Sequence, residues 1–193
     1  MPVWPNRIDG KRGRGARRSN LPLMTTLGLK MNDTIIAGYV PGAIGRITEM
    51  HATYYARNWD FGLFFESKVA SELSEFLRRF DPERDGFWTA SQGGCVEGSI
   101  AIDGAQAQME GAHLRWFIVS DATRGRGIGN RLMEEAVGFC KLKGYSRIFL
   151  WTFQGLHPAR HLYEKFGFRQ VEQVEGKQWG KQVLEQRFVL ALR

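Results

Sequence analysis

A glycine- and arginine-rich run at residues 121–132 has the composition of a loop that binds anions. Three glycines in five residues (125, 127 and 129) let a backbone approach a ligand closely, because glycine carries no side chain. A helix is predicted to begin at residue 128, and the free N–H groups at a helix N-terminus attract phosphate. Arg124 and Arg126 add cationic donors for phosphate oxygens. The run therefore predicts a cradle for a phosphate or a pyrophosphate.

Two other kinds of phosphate loop do not fit this run. A Walker A loop ends in Gly-Lys-Ser/Thr, where this chain has Gly129-Asn130-Arg131. A Rossmann loop spaces its glycines as G-x-G-x-x-G, where this chain has G-x-G-x-G. A glycine-rich turn without a ligand stays an alternative, because residues 10–15 have a similar composition with no predicted strand or helix around them.

A second motif stands at residues 159–168, which read ARHLYEKFGF. With it the chain resembles the GNAT (Gcn5-related N-acetyltransferase) superfamily. The family signature for the pyrophosphate of acyl-CoA is Arg/Gln-x-x-Gly-x-Gly/Ala between a strand and a helix, and residues 124–129 (RGRGIG) match it. Residues 159–168 look like the family's A-x-x-L-Y-x-K-x-GF helix. The resemblance covers roughly residues 34–193 and implies acetyl-CoA as acyl donor and an amine as acceptor.

The resemblance also implies which residues hold the donor. The backbone of the strand at 117–119 is expected to face the pantetheine arm, at a bulge where the strand splays from its parallel neighbour. A peptide N–H there would polarise the thioester carbonyl. The implied donor-binding residues are Phe117, Ile118, Val119, Arg124, Gly125, Arg126, Gly127, Ile128, Gly129, Asn130, Thr152 and Ala159. The asparagine that many members use for pantetheine is replaced by Gly155-Leu156, so Thr152 or Gln154 would supply that contact, or it is lost.

The resemblance implies a general acid at Tyr163, whose hydroxyl would protonate the leaving thiolate. His113 stands where some members carry a catalytic glutamate, and an imidazole would serve as general base directly or through water. Weaker candidates for the base are Glu97, His51 and Glu49. Core packing stays an alternative for Tyr163 and for the histidines, as does a water chain in place of a single base.

Acceptor recognition is expected from the first two helices and the last hairpin. The residues predicted to bind the acceptor are His51, Tyr55, Trp59 and Trp179, with Tyr54 and Trp88 as further aromatic candidates. Aromatic walls with a few carboxylates suit a cationic amine. The alternative is that these rings belong to the core.

A closer resemblance comes from residues 51–57 (HATYYAR), 155–160 (GLHPAR) and 178–180 (QWG). They are similar to the GNAT module that is fused behind MarR-type winged-helix regulators in bacteria. The winged helix itself has no counterpart in this sequence. The likeness keeps open a second function, an acyl-CoA-sensing module with little turnover.

The elements that must position these residues follow from hydrophobic periodicity and from glycine and proline breaks. Helices are predicted at 44–59, 61–80, 128–143 and 158–166, and strands at 86–91, 95–102, 112–119, 146–153, 168–175 and 182–190. The strand–helix–strand unit over 112–153 requires two parallel strands. The prediction is an α/β protein of the GNAT fold, with a mixed central sheet of six to seven strands and helices on both faces.

Composition excludes several classes of protein. The apolar runs are far shorter than the roughly 20 residues of a membrane helix. Two cysteines, Cys95 and Cys140, are too few and too widely spaced for a disulfide framework or a zinc site, which favours a reducing cytoplasm. No other metal site is indicated. The family often forms homodimers, and the sequence leaves the oligomeric state open.

The net charge of +7 is concentrated at the N-terminus. Residues 1–30 carry seven basic side chains and one acidic, which leaves 20 basic and 19 acidic residues for the rest. Residues 1–30 are therefore predicted to be a disordered basic tail, and residues 31–193 the acetyltransferase domain. The tail is an upstream extension before a start at Met24 or Met31, an arm that touches nucleic acid or an acidic partner, or an organelle transit peptide. Because the domain itself is nearly neutral, nucleic-acid binding is expected only through the tail.

Overall fold

The computed structural model of the protein describes residues 34–192, so the predicted basic tail lies outside the described residues. The helices are α1 (Ala43–Trp59), α2 (Leu63–Arg78), α3 (Ile128–Leu142) and α4 (His157–Lys165). The strands are β1 (Ile35–Ala37), β2 (Gly86–Gln92), β3 (Cys95–Asp103), β4 (Ala112–Val119), β5 (Arg147–Phe153), β6 (Arg169–Gly176) and β7 (Val183–Ala191). Within these residues, none of the helices combines the length and the apolar character that a membrane crossing requires.

The strands form one mixed sheet in the order β1-β2-β3-β4-β5-β7-β6. All neighbouring pairs are antiparallel except β4 and β5, which are parallel, as the helix between them requires. The predicted mixed sheet is confirmed, and its seventh strand is β1, three residues at the sheet edge that show no period in the sequence. The other predicted elements end within two residues of the observed ones.

Helices cover both faces of the sheet, as predicted. Helix α3 buries a stripe that includes Ile128, Leu132 and Ala136 against one face, together with Tyr163 of α4. The opposite face is covered by α1 and α2, which bury Ile47 and Leu73. Spacings of three and four residues place each apolar stripe on one side of its helix, which is why the sequence pattern predicted these helices.

A β-bulge changes the direction of β4 halfway along the strand. Trp116 has φ of +45°, and the register with β3 shifts between Ser99 and Ala101. Ala112 and Leu114 therefore pack toward α3, whereas Trp116 packs toward α1 and α2. Such a bulge bends a strand away from its neighbour.

The parallel pair separates just before this bulge. Strands β4 and β5 pair only at Ala112–Ile148 and His113–Phe149, although both strands continue for several residues. Within the part of the chain that the structure describes, one edge of β4 therefore has no partner strand after His113. Buried peptide groups need hydrogen-bond partners, so a gap of this kind is suited to a ligand that supplies them.

Candidate active site

A cavity of about 430 Å³ opens beside the glycine-rich loop, between the end of β4 and helices α3 and α4. We call it the glycine-loop cavity. Its lining comprises Tyr54, Tyr55, Phe117, Ile118, Val119, Thr123, Arg124, Gly125, Gly127, Ile128, Gly129, Asn130, Leu156, Pro158, Ala159, His161, Leu162 and Lys165. Its volume lies in the range of about 300–1,000 Å³ that is usual for pockets that hold small molecules and cofactors.

The N-terminus of α3 opens into this cavity. Gly127 caps the helix with φ of +79° and makes no side-chain cap hydrogen bond. Within residues 34–192, the N–H groups of Ile128, Gly129 and Asn130 donate no hydrogen bond, and the first bond of the helix runs from Arg131 N–H to the Gly127 carbonyl at 3.1 Å. Free N–H groups and the helix dipole attract an anion here.

Cationic side chains stand around the same helix end. Arg124 pairs with Asp121 at 2.7 Å and lies over the ring of Tyr54 at 5.1 Å. Lys165 donates a hydrogen bond to the Asn130 side chain at 2.5 Å. Arg124 and Lys165 line the cavity, so a positive potential and unpaired N–H donors coincide, which is the chemistry of a pyrophosphate site.

Almost all the predicted donor-binding residues meet in this cavity. The two exceptions are Arg126, whose guanidinium reaches the Gln92 side chain at 3.3 Å, and Thr152, which lines a second cavity. Gln154 lies outside both, because its N–H bonds the Leu184 carbonyl at 2.9 Å and its side chain borders a separate hollow.

The second cavity, about 190 Å³, lies on the α1 and α2 side of the gap between β4 and β5. We call it the aromatic cavity. Its lining comprises His51, Tyr55, Phe65, Lys68, Val69, Glu72, His113, Leu114, Arg115, Trp116, Phe117, Leu150, Trp151, Thr152, Phe153, Leu156, Tyr163, Gln178 and Trp179. Tyr55, Phe117 and Leu156 line both cavities, so the two adjoin at the point where β4 and β5 separate.

Tyr163 stands at this junction. Its side chain is 6% exposed, and its ring lies 6.2 Å from that of Phe117, which borders both cavities. Burial raises the pKa of Tyr163, so the phenol keeps its proton at neutral pH. The hydroxyl makes no hydrogen bond with the residues that the structure describes and remains available as a donor toward the cavity.

His113 lines the aromatic cavity and stacks on Phe149, with ring centroids 4.3 Å apart. Its pKa is lowered to about 3, mainly by burial and further by the positive charges of Arg115 and Arg187, against a smaller opposing effect of Asp103. The imidazole is therefore neutral at physiological pH. It has a free lone pair but is a weak base.

His51 is the other histidine of this cavity. Its Nδ1 lies 2.9 Å from the Ile47 carbonyl, which can only accept, so Nδ1 carries the proton and Nε2 is left as an acceptor. Burial lowers its pKa to about 4. The other candidate bases lie elsewhere, since Glu49 and Glu97 both pair with Arg46, at 3.0 and 3.6 Å, and line no part of the aromatic cavity.

The aromatic residues predicted from sequence separate into three places. Tyr55 and Trp179 line the aromatic cavity, whereas Tyr54 lies in the glycine-loop cavity. Trp59 lines neither cavity. Its ring lies edge-on to that of Phe153, a residue of the aromatic cavity, with the ring centroids 4.8 Å apart. Trp88 belongs to the core under α3, with its ring 5.5 Å from Phe139, so its predicted place in acceptor recognition is wrong.

Sequence reasoning missed several ionisable residues that line the two cavities. In the glycine-loop cavity these are His161 and Lys165, and in the aromatic cavity Lys68, Glu72 and Arg115. Of these residues, only Lys165 could have been found from the sequence, because it is the lysine of the helix motif at residues 159–168. Lys68 and Glu72 have the spacing of an ordinary surface ion pair on a helix, and nothing local indicates that α2 faces the gap.

Comparison with known proteins finds N-acetyltransferases that are similar to this chain in sequence. An uncharacterized N-acetyltransferase of Methanocaldococcus jannaschii is 28% identical over 62% of this chain and 54% of its own length. A putative ribosomal protein bS18-alanine N-acetyltransferase of Bacillus subtilis is 26% identical over 65% of this chain and 74% of its own. This chain thus spans only about half of the archaeal relative.

The fold recurs in solved structures. A putative acetyltransferase from Salmonella typhimurium, determined with its cofactor acetyl-CoA, superposes with a TM-score of 0.66 over 84% of this chain and 95% of its own, at 15% identity. The model of the Acetyltransferase (GNAT) family matches residues 46–168, well over half of the chain. The chain therefore belongs to the GNAT acetyltransferase family. The finer likeness to regulator-fused modules stays a prediction.

Proposed function

We propose that this protein is an N-acetyltransferase, which binds acetyl-CoA in the glycine-loop cavity and transfers the acetyl group to a primary amine in the aromatic cavity. The observation that carries the proposal is the junction of the two cavities at Tyr55, Phe117 and Leu156, where β4 and β5 separate. Two substrates held on either side of this junction meet without a carrier group on the protein.

Three observations support acetyl-CoA as the donor. The helix end with free N–H groups suits the pyrophosphate, and Arg124 and Lys165 add positive charge. The apolar residues Phe117, Ile118 and Val119 line the same cavity along the free edge of β4 and suit the pantetheine arm. A protein of the same fold from Salmonella typhimurium was determined with acetyl-CoA.

The chemistry then takes one step. The amine nitrogen attacks the thioester carbonyl, an N–C bond forms, and the C–S bond breaks to release the thiolate of CoA. A peptide N–H on the free edge of β4 polarises the carbonyl. Tyr163 donates its proton to the thiolate and regains one from water, while the neutral His113 passes the proton that the amine loses to water.

Tyr163 also favours the enzyme over an acyl-CoA-sensing module. A sensor needs only the glycine-loop cavity, whereas this chain keeps a buried, protonated tyrosine in the adjoining aromatic cavity. The MarR-type likeness and the homodimer belong to the proposal through the family resemblance, and a cytoplasmic location belongs to it through the cysteine content.

The test is release of free thiol from acetyl-CoA across a panel of polyamines, amino acids, aminoglycosides and lysine or N-terminal peptides. Release with at least one class, together with an acetyl-CoA-dependent rise in Tm, is the expected result. A rise in Tm with no thiol release from any amine would replace the enzyme with a sensing module. If neither thiol release nor a rise in Tm is observed, both the enzyme and the sensing module are excluded.

A further inference from the structure

The charged residues of the aromatic cavity point to a particular acceptor. Three ionised side chains line it, namely Lys68 and Glu72 of α2 and Arg115 of β4. They are partly exposed, at 31%, 35% and 23% of their side-chain surfaces, so they stand where a substrate enters. Neither histidine of this cavity adds a positive charge at neutral pH.

Glu72 is the one carboxylate among the described lining residues, and each of its oxygens already accepts a hydrogen bond from a cation. Oε1 accepts a hydrogen bond from Lys68, and Oε2 accepts one from Arg115. A second ammonium group on the acceptor would therefore meet a carboxylate that two cations already neutralise. This arrangement disfavours polyamines, aminoglycosides and basic peptides.

The two cations keep donors to spare. An ammonium has three N–H donors and a guanidinium five, and the bonds to Glu72 use one of each. Asp103 approaches the other side of Arg115 at 3.8 Å but is itself paired with Arg79. The cavity mouth thus offers N–H groups to an anion and carries a net charge of one positive unit over its three ionised lining residues.

Aromatic rings form a large part of the remaining wall, beside the two histidines, Thr152 and Gln178. Tyr55 lies 4.9 Å from Phe65 and 5.8 Å from Phe153, and Phe153 lies 5.4 Å from Trp179. A volume of about 190 Å³ is below the roughly 300–1,000 Å³ of pockets for drug-sized ligands. The acceptor is therefore small and carries an apolar body.

We propose that the acceptor is a free amino acid with an apolar or aromatic side chain, whose carboxylate binds Lys68 and Arg115 while its amine faces the donor. This inference rests on the proposed acetyltransferase function and adds the class of acceptor. The carboxylate takes the spare donors of the two cations, the side chain packs on the rings, and the neutral amine points toward the junction at Phe117.

The experiment compares three amines with the same aromatic body, namely L-phenylalanine, L-phenylalaninamide and phenethylamine. Rates of thiol release are corrected for the fraction of free amine. L-Phenylalanine is expected to have a kcat/KM at least about tenfold higher than the other two, the effect of one charge-assisted hydrogen bond. Equal or higher kcat/KM for the amide or phenethylamine would overturn the proposal while leaving acetyl transfer intact.

Two variants should change KM for L-phenylalanine in opposite directions. Lys68→Gln removes a cation and should raise KM for L-phenylalanine about tenfold, whereas Glu72→Gln frees both cations and should lower it. Each change should alter KM for phenethylamine, which lacks a carboxylate, by a smaller factor than KM for L-phenylalanine. If Glu72 instead holds a cationic acceptor, Glu72→Gln will abolish turnover of amines that lack a carboxylate, and the inference fails.

Binding separates this inference from the proposed function. The complex with CoA is titrated calorimetrically with L-phenylalanine and with phenethylamine, which needs no turnover. Carboxylate-dependent binding that Lys68→Gln weakens supports the acceptor class even if no amine is acetylated. Equal binding of the two amines, or binding of neither, would overturn it.

Discussion

The two cavities that meet between β4 and β5 differ in whether main-chain or side-chain groups provide the binding contacts. In the glycine-loop cavity the anion-binding groups are main chain from one contiguous stretch, in which Gly125 and Gly127 have φ of +82° and +79° and the end of α3 presents free N–H groups. The aromatic cavity depends on side chains from α1, α2, β4, β5, α4 and the β6–β7 loop. The first is therefore tied to the backbone, and single side chains decide what the second accepts.

The largest effect is expected from a substitution that adds a side chain to a glycine of the glycine-loop cavity. Gly127→Glu introduces a carboxylate at a position with φ of +79° that faces the cavity. Two like charges about 4 Å apart near a protein surface repel by about 4 kcal/mol, roughly a thousandfold in affinity for acetyl-CoA. The measurement is calorimetric titration with acetyl-CoA.

The matched control for that change is Gly138→Glu, on the same helix, where an added Cβ meets nothing within 4 Å. It should leave the affinity for acetyl-CoA unchanged. Loss of affinity in both variants would mean that the added charge acts on the whole helix, and unchanged affinity in both would remove the pyrophosphate assignment.

Tyr163→Phe acts on the aromatic side of the junction. Loss of a proton donor to the leaving thiolate should lower kcat about 100-fold or more. The affinity for acetyl-CoA should stay the same, because Tyr163 does not line the glycine-loop cavity. Steady-state kinetics and calorimetry separate the two effects, with Tyr39→Phe as an exposed control. Unchanged kcat would assign proton donation to water or to another group.

Ser99→Ala tests the bulge that separates the strands. The Ser99 hydroxyl donates to the Trp116 carbonyl at 2.7 Å, fully buried, and its loss should cost about 2 kcal/mol of the free energy of unfolding. We expect KM for acetyl-CoA to rise as well. Thr89→Val deletes a similar bond to the Gly38 carbonyl at 2.9 Å, away from the gap. Equal KM values for both variants would contradict a role of the bulge in donor binding.

The smallest effect concerns pH and the aromatic cavity. The pKa of His51 is lowered in the folded state from 6.5 to about 4, so the unfolded chain binds more protons between these values. Stability therefore falls as pH drops below 6.5, by about 1 kcal/mol for this group between pH 7 and pH 5.5. Urea unfolding should show a shallower pH dependence for His51→Gln than for the natural chain. An equal slope would mean that His51 does not titrate in this way.

The fold could be predicted because its signals are local. Apolar residues at helical spacing gave α1 to α4, and the unit from β4 to β5 required a parallel pair. Strand β1 could not be found, since three residues at an edge carry no period. The bulge at Trp116 was expected only through family resemblance, because its positive φ leaves no trace in residue type.

The site could be predicted only in part, because the glycine-loop cavity contains a continuous motif and the aromatic cavity is assembled from distant residues. The glycine-rich loop at residues 124–129 is one continuous motif, so its members in the glycine-loop cavity were found together. Lys68 and Arg115 are 47 positions apart and come together only when α2 packs beside β4. The aromatic character of Trp88 did not reveal which face of the sheet it occupies, and that face separates a core ring from a cavity wall.

In the proposed reaction, acetyl passes directly from one cavity to the other. The decisive measurement is the initial rate of thiol release while acetyl-CoA and an active amine are varied together, with intact mass of the protein recorded after exposure to acetyl-CoA alone. Direct transfer predicts intersecting double-reciprocal lines and an unmodified protein. Parallel lines with an acetylated protein would contradict the account, because they require a covalent intermediate on the enzyme.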